Sequence, residues 1–271
     1  QIASNWLYST MVPERPDLPV DFISGDYLGN ASISTARLEA RFMSAQKKPW
    51  DLMAWGFQSD GKQFNHKPAV QLQQEASTVL AQGGGFQVYY ALPRGGYIDQ
   101  THVATLERVA AFCRKRQELV HKTSSVPQIG VFFSQHTLYH STNKLFGGWG
   151  SELNPVRGFV DALIDLHYST DVIPEWREDS YLQSFPLIVL PEWRLIGESS
   201  ARRLRNYVLD GGNLLLAGAE NAGLFADLLD VSLKGAPANL TAFVKGGDQL
   251  GNVSGRWQDV EAGPGAKVAG G

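Results

Sequence analysis

Two carboxylates and a group of aromatic side chains follow short apolar segments in the first hundred residues of the chain. The carboxylates are Asp26 and Glu14, and the ring-bearing residues are Trp6, Tyr8, Trp55, His66 and Tyr90. Aromatic rings cover the apolar C–H faces of a sugar, and carboxylates bond its hydroxyls. A pair of carboxyl groups can also cleave a glycosidic bond. These residue types predict a carbohydrate partner, with Asp26 and Glu14 as catalytic candidates and the ring-bearing residues as substrate contacts.

Each candidate has a second interpretation that the sequence leaves open. Asp26 follows an apolar segment directly, so it either lies at the mouth of a pocket or caps a turn. Glu14 lies in a proline-containing loop, where a solvated role is the alternative. Trp55 is either a sugar platform or a core residue of its strand. His66 either bonds a substrate hydroxyl or lies on the surface before a helix.

The elements that would position these residues alternate between strand and helix. Strands are predicted at 1–8, 19–24, 50–57 and 86–92, and helices behind the capping candidate Ser34 and at 69–81 and 101–119. A spacing of about 30 residues is typical of parallel βαβ units, and about 120 residues hold half of a (β/α)₈ barrel. Because barrel sites gather at the C-terminal ends of strands, the candidates would share one rim. Tyr89 and Tyr90 point to opposite sides of their strand, so at most one faces that rim.

A second alternating series begins after a linker at 124–127. Its predicted strands are 128–134, 170–174, 187–190 and 213–217, with helices at 155–166 and 199–209. Continuous apolar strands indicate a sheet covered on both faces, so we expect a flavodoxin-like doubly wound domain. A loop at 135–154 carries His136, Tyr139, His140, Phe146 and Trp149. The predicted α/β organisation is a half TIM barrel at 1–123, the doubly wound domain at 124–231, and an irregular tail or the start of a β module at 232–271.

The end of the first unit resembles the last part of the catalytic barrel in the α-L-fucosidase family. The resemblance rests on Ala54-Trp55-Gly56-Phe57, then His66-Lys67-Pro68, a helix, three glycines at 83–85, and a Pro-x-x-Gly-x-Ile turn at 93–98. The family's Asn-Leu-Leu-Leu-Asn strand is here Phe-Gln-Val-Tyr-Tyr at 86–90, so its substrate contacts do not transfer one for one. The family's nucleophilic Asp lies on an earlier strand. The chain opens on a strand, and we interpret it as beginning inside a domain; a freestanding four-stranded open sheet is the alternative.

The order of a barrel followed by a doubly wound domain is similar to β-galactosidases with an amidotransferase-like trimerisation domain. The two resemblances together imply glycoside hydrolysis, with an α-L-fucoside as the first expected substrate and a β-galactoside as the second. They also imply a homo-oligomer held together by the second domain. Amidotransferase chemistry needs a Cys nucleophile at a strand-to-helix turn, and 213–219 has none. The competing class is a non-catalytic carbohydrate-binding or assembly module.

Composition excludes several other classes. Lys+Arg 24 against Asp+Glu 27 gives a net charge of -3, which argues against nucleic acid as a partner. No apolar stretch approaches the roughly 18 to 20 residues of a membrane span. The single Cys113 forms neither an internal disulfide nor a thiolate metal site. No metal or organic cofactor is expected, any export signal is absent or already removed, and the cellular compartment stays open.

Overall fold

The computed structural model describes residues 1–7, 9–59, 64–91, 93–142, 152–246 and 248–267. The first half of the chain alternates strands and helices. Its elements are β1 (Ala3–Leu7), a 3-10 turn (Ser9–Met11), β2 (Phe22–Asp26), α1 (Ser32–Ser44), β3 (Trp50–Trp55), β4 (Phe57–Ser59), β5 (Phe64–His66), α2 (Ala69–Leu80), β6 (Gly85–Tyr89) and α3 (Gln100–Val120).

The first sheet is parallel and has the strand order β1-β2-β3-β6. Neighbours in the sheet are therefore successive βα units, which is the arrangement of a segment of a TIM barrel. The antiparallel β4-β5 hairpin interrupts the connection between β3 and α2 and was not predicted. Because β2 extends to Asp26 rather than ending at residue 24, the candidate carboxylate is the last residue of the strand itself.

The first residue of α1 differs from the start that the sequence predicts. The helix begins at Ser32 after Ala31, whose φ of 52° is left-handed, and no side chain caps it. The prediction of Ser34 as the cap is therefore wrong, because this side chain bonds Asp161 of the second half instead. Asp99 is the N-cap residue of α3, and its side chain accepts a hydrogen bond from the Thr101 amide at 2.9 Å.

The second half forms another parallel sheet. Its elements are β7 (Ile129–Phe133), α4 (Gln135–Ser141), α5 (Asn154–Asp165), β8 (Thr170–Pro174), α6 (Asp179–Leu182), β9 (Leu187–Leu190), α7 (Glu198–Leu209), β10 (Asn213–Leu216), α8 (Ala219–Leu224) and α9 (Ala226–Leu229). The strand order is β10-β9-β7-β8. The segment predicted as a loop at 135–154 begins with α4, and its residues Phe146 and Trp149 lie outside the described residues.

Helix α1 packs into the cores of both sheets. Ala36, Ala40 and Met43 of this helix join the core of the first sheet. Leu38 and Phe42 instead join the core of the second sheet, where the Phe42 ring lies 4.9 Å from that of Phe133. The Arg41 Nε also donates to the Thr170 carbonyl at 2.7 Å. One helix therefore connects the two sheets.

A long antiparallel hairpin follows the second sheet. It pairs β11 (Val231–Gly246) with β12 (Gln249–Ala262), whereas the sequence showed strand signals only at 243–244 and 253–260. Its side chains are largely exposed, including Phe243 and Leu250, each 71% exposed. Across the described ranges, every helix is too short or too polar to cross a membrane.

Candidate functional site

The carboxyl-terminal ends of β2, β3 and β6 bring four side chains to one face of the first sheet. Asp26 is in register with Met53, and Trp55 is in register with Tyr89. Since side chains on a strand alternate with a period of two, Met53 and Trp55 share a face, and the register adds Asp26 and Tyr89 to it. The predicted rim thus contains Asp26 and Trp55, and the register favours Tyr89 over Tyr90 as the tyrosine beside them.

Asp26 is a buried carboxyl at the end of β2. The residue is only 6% exposed, and burial raises the pKa of its carboxyl above the ordinary value. A hydrogen bond from the Trp55 side chain opposes this rise, because it stabilises the carboxylate. Trp55, which acts on the Asp26 carboxyl, lies on the same face of the sheet.

Tyr90 lies in a second aromatic group just beyond the sheet edge. Its ring stacks on His102 at 4.2 Å and lies 5.8 Å from the ring of His66. The two imidazoles meet through their Nε2 atoms at 3.2 Å. The Tyr90 ring also covers Gly56, where any Cβ would approach it to 2.4 Å. His66 and Tyr90, two of the predicted substrate contacts, therefore lie close together, and His102 of α3 is a partner that the sequence did not reveal.

A buried ionic network lies beneath these groups. The Glu75 carboxylate accepts hydrogen bonds from Tyr27 at 2.7 Å, from Ser32 at 2.6 Å and from Lys67 at 2.8 Å. The Lys67 and Glu75 side chains are both 0% exposed. Burial, followed by the charge and hydrogen bond of Glu75, raises the pKa of Tyr27. Because Tyr27 and Lys67 directly follow Asp26 and His66, the network fixes the ends of the strands that carry both candidates.

The structure gives Trp6 and Glu14 hydrogen-bond partners other than Asp26. Trp6 is half-buried and donates to the Val12 carbonyl at 3.2 Å. Glu14 is exposed and accepts a hydrogen bond from Tyr139 of α4 at 3.1 Å. Burial, with the Glu14 charge and hydrogen bond added, raises the pKa of Tyr139 to about 12. Tyr8 lies outside the described residues. In the part of the chain that is described, no contact joins Glu14 to Asp26.

The residues that sequence reasoning missed had weak signals. Glu75 stands in an otherwise apolar row of α2 beside Leu72 and Ala76, and a carboxylate in such a row indicates a buried partner. His102 lies in a polar stretch of α3 with nothing to distinguish it. The described side chains include no group of three or more His, Cys, Asp or Glu that could hold a metal ion.

Comparisons with known proteins give a likeness of fold. No family model and no curated protein matches the sequence. Among solved structures, α-L-fucosidase isoenzyme 2 from Paenibacillus thiaminolyticus is similar, with a TM-score of 0.67 and 14% identity over 85% of this chain and 35% of that chain. The β-galactosidase from Rahnella sp. R3 has a TM-score of 0.70 and 15% identity, over 96% of this chain and 46% of that chain. The β-galactosidase from Halorubrum lacusprofundi has a TM-score of 0.66 and 14% identity, over 99% of this chain and 47% of that chain.

These likenesses show the fold alone at such low identity. The chain has a glycoside hydrolase-like α/β fold, and its parallel first sheet fits part of a TIM barrel. The chain spans less than half the length of these solved structures.

Proposed function

We propose that this chain forms part of a glycoside hydrolase, and that the face carrying Asp26, Trp55 and Tyr89 contributes to its sugar-binding site. The observation that carries the proposal is the buried Asp26 carboxyl at a strand end, on the same face as Trp55 and with a pKa that burial raises. A carboxyl that keeps its proton nearer to neutral pH suits a general acid. The neighbouring rings supply the apolar surface that a pyranose needs.

The resemblance and the structural neighbours support an α-L-fucoside as the first substrate and a β-galactoside as the second. Of the three solved structures described above, one is named as an α-L-fucosidase and two as β-galactosidases. Hydrolysis requires a second carboxyl group. Glu14 is exposed and accepts a hydrogen bond from Tyr139, and we propose that the second carboxyl belongs to a residue outside this chain.

The experiment compares Asp26→Asn with wild type in the complete gene product on aryl α-L-fucosides and aryl β-galactosides. If Asp26 acts as the acid, the variant should lose at least about 10²-fold in kcat, while its stability stays within about 1 kcal/mol. Asp17→Asn is the matched control, because Asp17 is exposed in the loop before β2. An Asp26→Asn enzyme that is destabilised but fully active would contradict the proposal.

A non-catalytic carbohydrate-binding module is the second candidate function. The position of Glu14 favours it, because Glu14 is exposed and accepts a hydrogen bond from Tyr139, which leaves Asp26 as the predicted catalytic carboxylate that the described register places on the proposed face. In that case sugars should quench the fluorescence of Trp55 in a way that Trp55→Phe removes, and the complete gene product should turn over neither aryl glycoside. Turnover that depends on Asp26 excludes this candidate.

We further propose that the second half of the chain is a flavodoxin-like unit that mediates contacts between subunits rather than chemistry. The strand order β10-β9-β7-β8 supports the doubly wound assignment, because it is the 2-1-3-4 order of that fold. The aromatic loop at 135–154 is the segment we propose for these contacts, and deleting it should lower the oligomeric mass of the complete gene product in light scattering. An unchanged mass would count against the assembly role.

A further inference from the structure

Two imidazoles from separate elements meet beside the ring of Tyr90. His66 is the last residue of β5, and His102 lies in the first turn of α3. Their Nε2 atoms are 3.2 Å apart. The ring centres are only 4.2 Å apart and the ring planes are inclined at 56°, so the rings meet obliquely rather than head-on. Because a neutral imidazole nitrogen is a common metal ligand, the pair is a candidate for holding an ion.

The distance between the two Nε2 atoms is close to that of two ligands on one ion. Zinc is held by imidazole nitrogens at about 2.0 to 2.1 Å in a tetrahedral arrangement, so two such nitrogens lie about 3.3 to 3.4 Å apart. The 3.2 Å between His66 and His102 therefore needs little adjustment. A hydrogen bond between two neutral imidazoles shares one proton, and an ion would replace that proton and bind both nitrogens.

The contacts around both histidines hold them in place. Next to His66, the Lys67 amide donates to the Gly56 carbonyl at 2.9 Å, and the Lys67 side chain bonds the buried Glu75 at 2.8 Å. The Tyr90 ring stacks on the His102 ring, with an angle of 10° between the planes. Ligands that are fixed before the ion arrives lose little conformational entropy on binding it.

The charge beside the pair favours a cation. Asp99 is the N-cap residue of α3, three positions before His102. Hydrogen bonds from Thr101, and then the nearby His102 and His66, hold the pKa of the Asp99 carboxyl below its ordinary value. The carboxylate is therefore ionised at neutral pH and within electrostatic reach of both imidazoles. It also offsets the partial positive charge of the helix N-terminus.

The residue types select the class of ion. Imidazole nitrogen suits Zn²⁺, Cu²⁺ and Ni²⁺, whereas Mg²⁺ and Ca²⁺ prefer oxygen ligands. In the described part of the chain, no third His, Cys, Asp or Glu completes a metal-binding group with these two histidines. Water would therefore fill the other coordination positions.

We infer that His66 and His102 form a binding site for a divalent transition-metal ion of the Zn²⁺ class, with water completing its coordination. His66 is then a metal ligand rather than the direct substrate contact that the sequence predicts. The inference concerns ion binding alone, so it does not depend on hydrolysis at Asp26.

The experiment titrates Zn²⁺ by calorimetry into the 271-residue chain, freed of metal and of any histidine tag. Structural zinc sites use four protein ligands, and scaling their binding free energies to two ligands gives a Kd between about 1 and 200 μM. Mg²⁺ and Ca²⁺ should give no binding at the same concentrations, because the two protein ligands are nitrogens.

Variants locate the ion. His102→Ala should weaken Zn²⁺ binding at least about tenfold, because one of two protein ligands is lost. Asp99→Asn keeps the capping oxygen and removes only the charge, so it should weaken binding by about two- to fivefold. The matched control is His140→Ala, which alters the other histidine pair of the described residues, His136 and His140 of α4, and should leave the binding unchanged. If His102→Ala fails to fold, His66→Gln at an exposed position replaces it.

Three outcomes would overturn the inference. The first is absence of Zn²⁺ binding at concentrations up to about 1 mM. The second is binding that survives unchanged in His102→Ala and His66→Gln, whether or not His140→Ala removes it. The third is equal binding of Mg²⁺ or Ca²⁺, which would indicate a nonspecific attraction to carboxylates. Each of these outcomes leaves the role proposed for Asp26 intact.

Discussion

The buried carboxyl of Glu39 should make the stability of this protein depend on pH. Glu39 lies in α1 and is 5% exposed, beneath the 3-10 turn. It accepts hydrogen bonds from Ser9 Oγ at 2.6 Å and from the Thr10 amide at 3.2 Å. Burial raises its pKa from 4.5 to about 7, although the hydrogen bonds from Ser9 and Thr10 oppose the rise.

The sign follows from proton linkage. The folded chain holds the Glu39 proton more tightly than the unfolded chain, so its contribution to stability is complete below about pH 4.5. That contribution is lost as the pH rises through about 7. Each pKa unit corresponds to about 1.4 kcal/mol, so a rise from 4.5 to about 7 amounts to about 3 kcal/mol. This free energy is not reduced for screening by solvent, because the Glu39 carboxyl is buried.

The assay measures thermal unfolding of wild type and Glu39→Gln between pH 4.5 and pH 8. Gln stays neutral at every pH and keeps an acceptor oxygen for Ser9 and Thr10. Asp26 and Asp171, whose pKa values burial also raises, titrate in both proteins and cancel in the difference. The difference in Tm should change by several degrees in favour of the variant as the pH rises, at roughly 2 to 4 °C per kcal/mol.

Glu107→Gln is the control, because Glu107 is an exposed residue of α3. Its pH profile should run parallel to that of wild type. If Glu39→Gln also runs parallel to wild type across this range, then Glu39 is ionised at no cost in the folded protein and the reasoning from burial is refuted.

Two further predictions concern packing. Lys67→Met should cost about 3 to 5 kcal/mol in urea unfolding, because it leaves Glu75 charged and buried, and adding Glu75→Gln should recover part of the loss. Lys115→Met on the exposed side of α3 is the control, and equal losses in the two single variants would contradict the role of the pair. Gly130→Ala should cost about 1 to 3 kcal/mol, since its Cβ would lie 2.4 Å from the Ile173 side chain. Gly158→Ala in α5, where nothing lies within 4 Å, should instead stabilise the chain by about 0.5 to 1 kcal/mol, and a cost at both sites would refute this comparison.

The sequence predicts secondary structure best where a short apolar run indicates both a strand and its place in the core. The predicted strands at 170–174 and 187–190 match β8 and β9 residue for residue, because each is a short and mostly apolar run that packs in the core. The βα order of the first sheet follows from the same patterning. The strands of the β4-β5 hairpin have only three residues each, and the apolar residues of β11 are interrupted by Gly, Ala, Pro and Asn, so β4-β5 and most of β11 were not predicted.

The candidate site was predictable in part for a similar reason. Asp26 and Trp55 stand at strand ends, and strand ends can be read from local patterns. Contacts between distant positions cannot, because they depend on how the elements pack. The bond from Tyr139 to Glu14 joins residues 125 positions apart, and the contact of His66 with His102 bridges 36.

The position of α1 in both cores has a consequence for folding. A helix whose residues stabilise two sheets at once prevents either sheet from unfolding while the other stays intact, since opening one core exposes Leu38 and Phe42 and opening the other exposes Ala36 and Ala40. Neither half is then an autonomous folding unit, even though each has its own sheet. Amide exchange in α1 should accordingly require global unfolding, so that this helix is among the last segments to exchange.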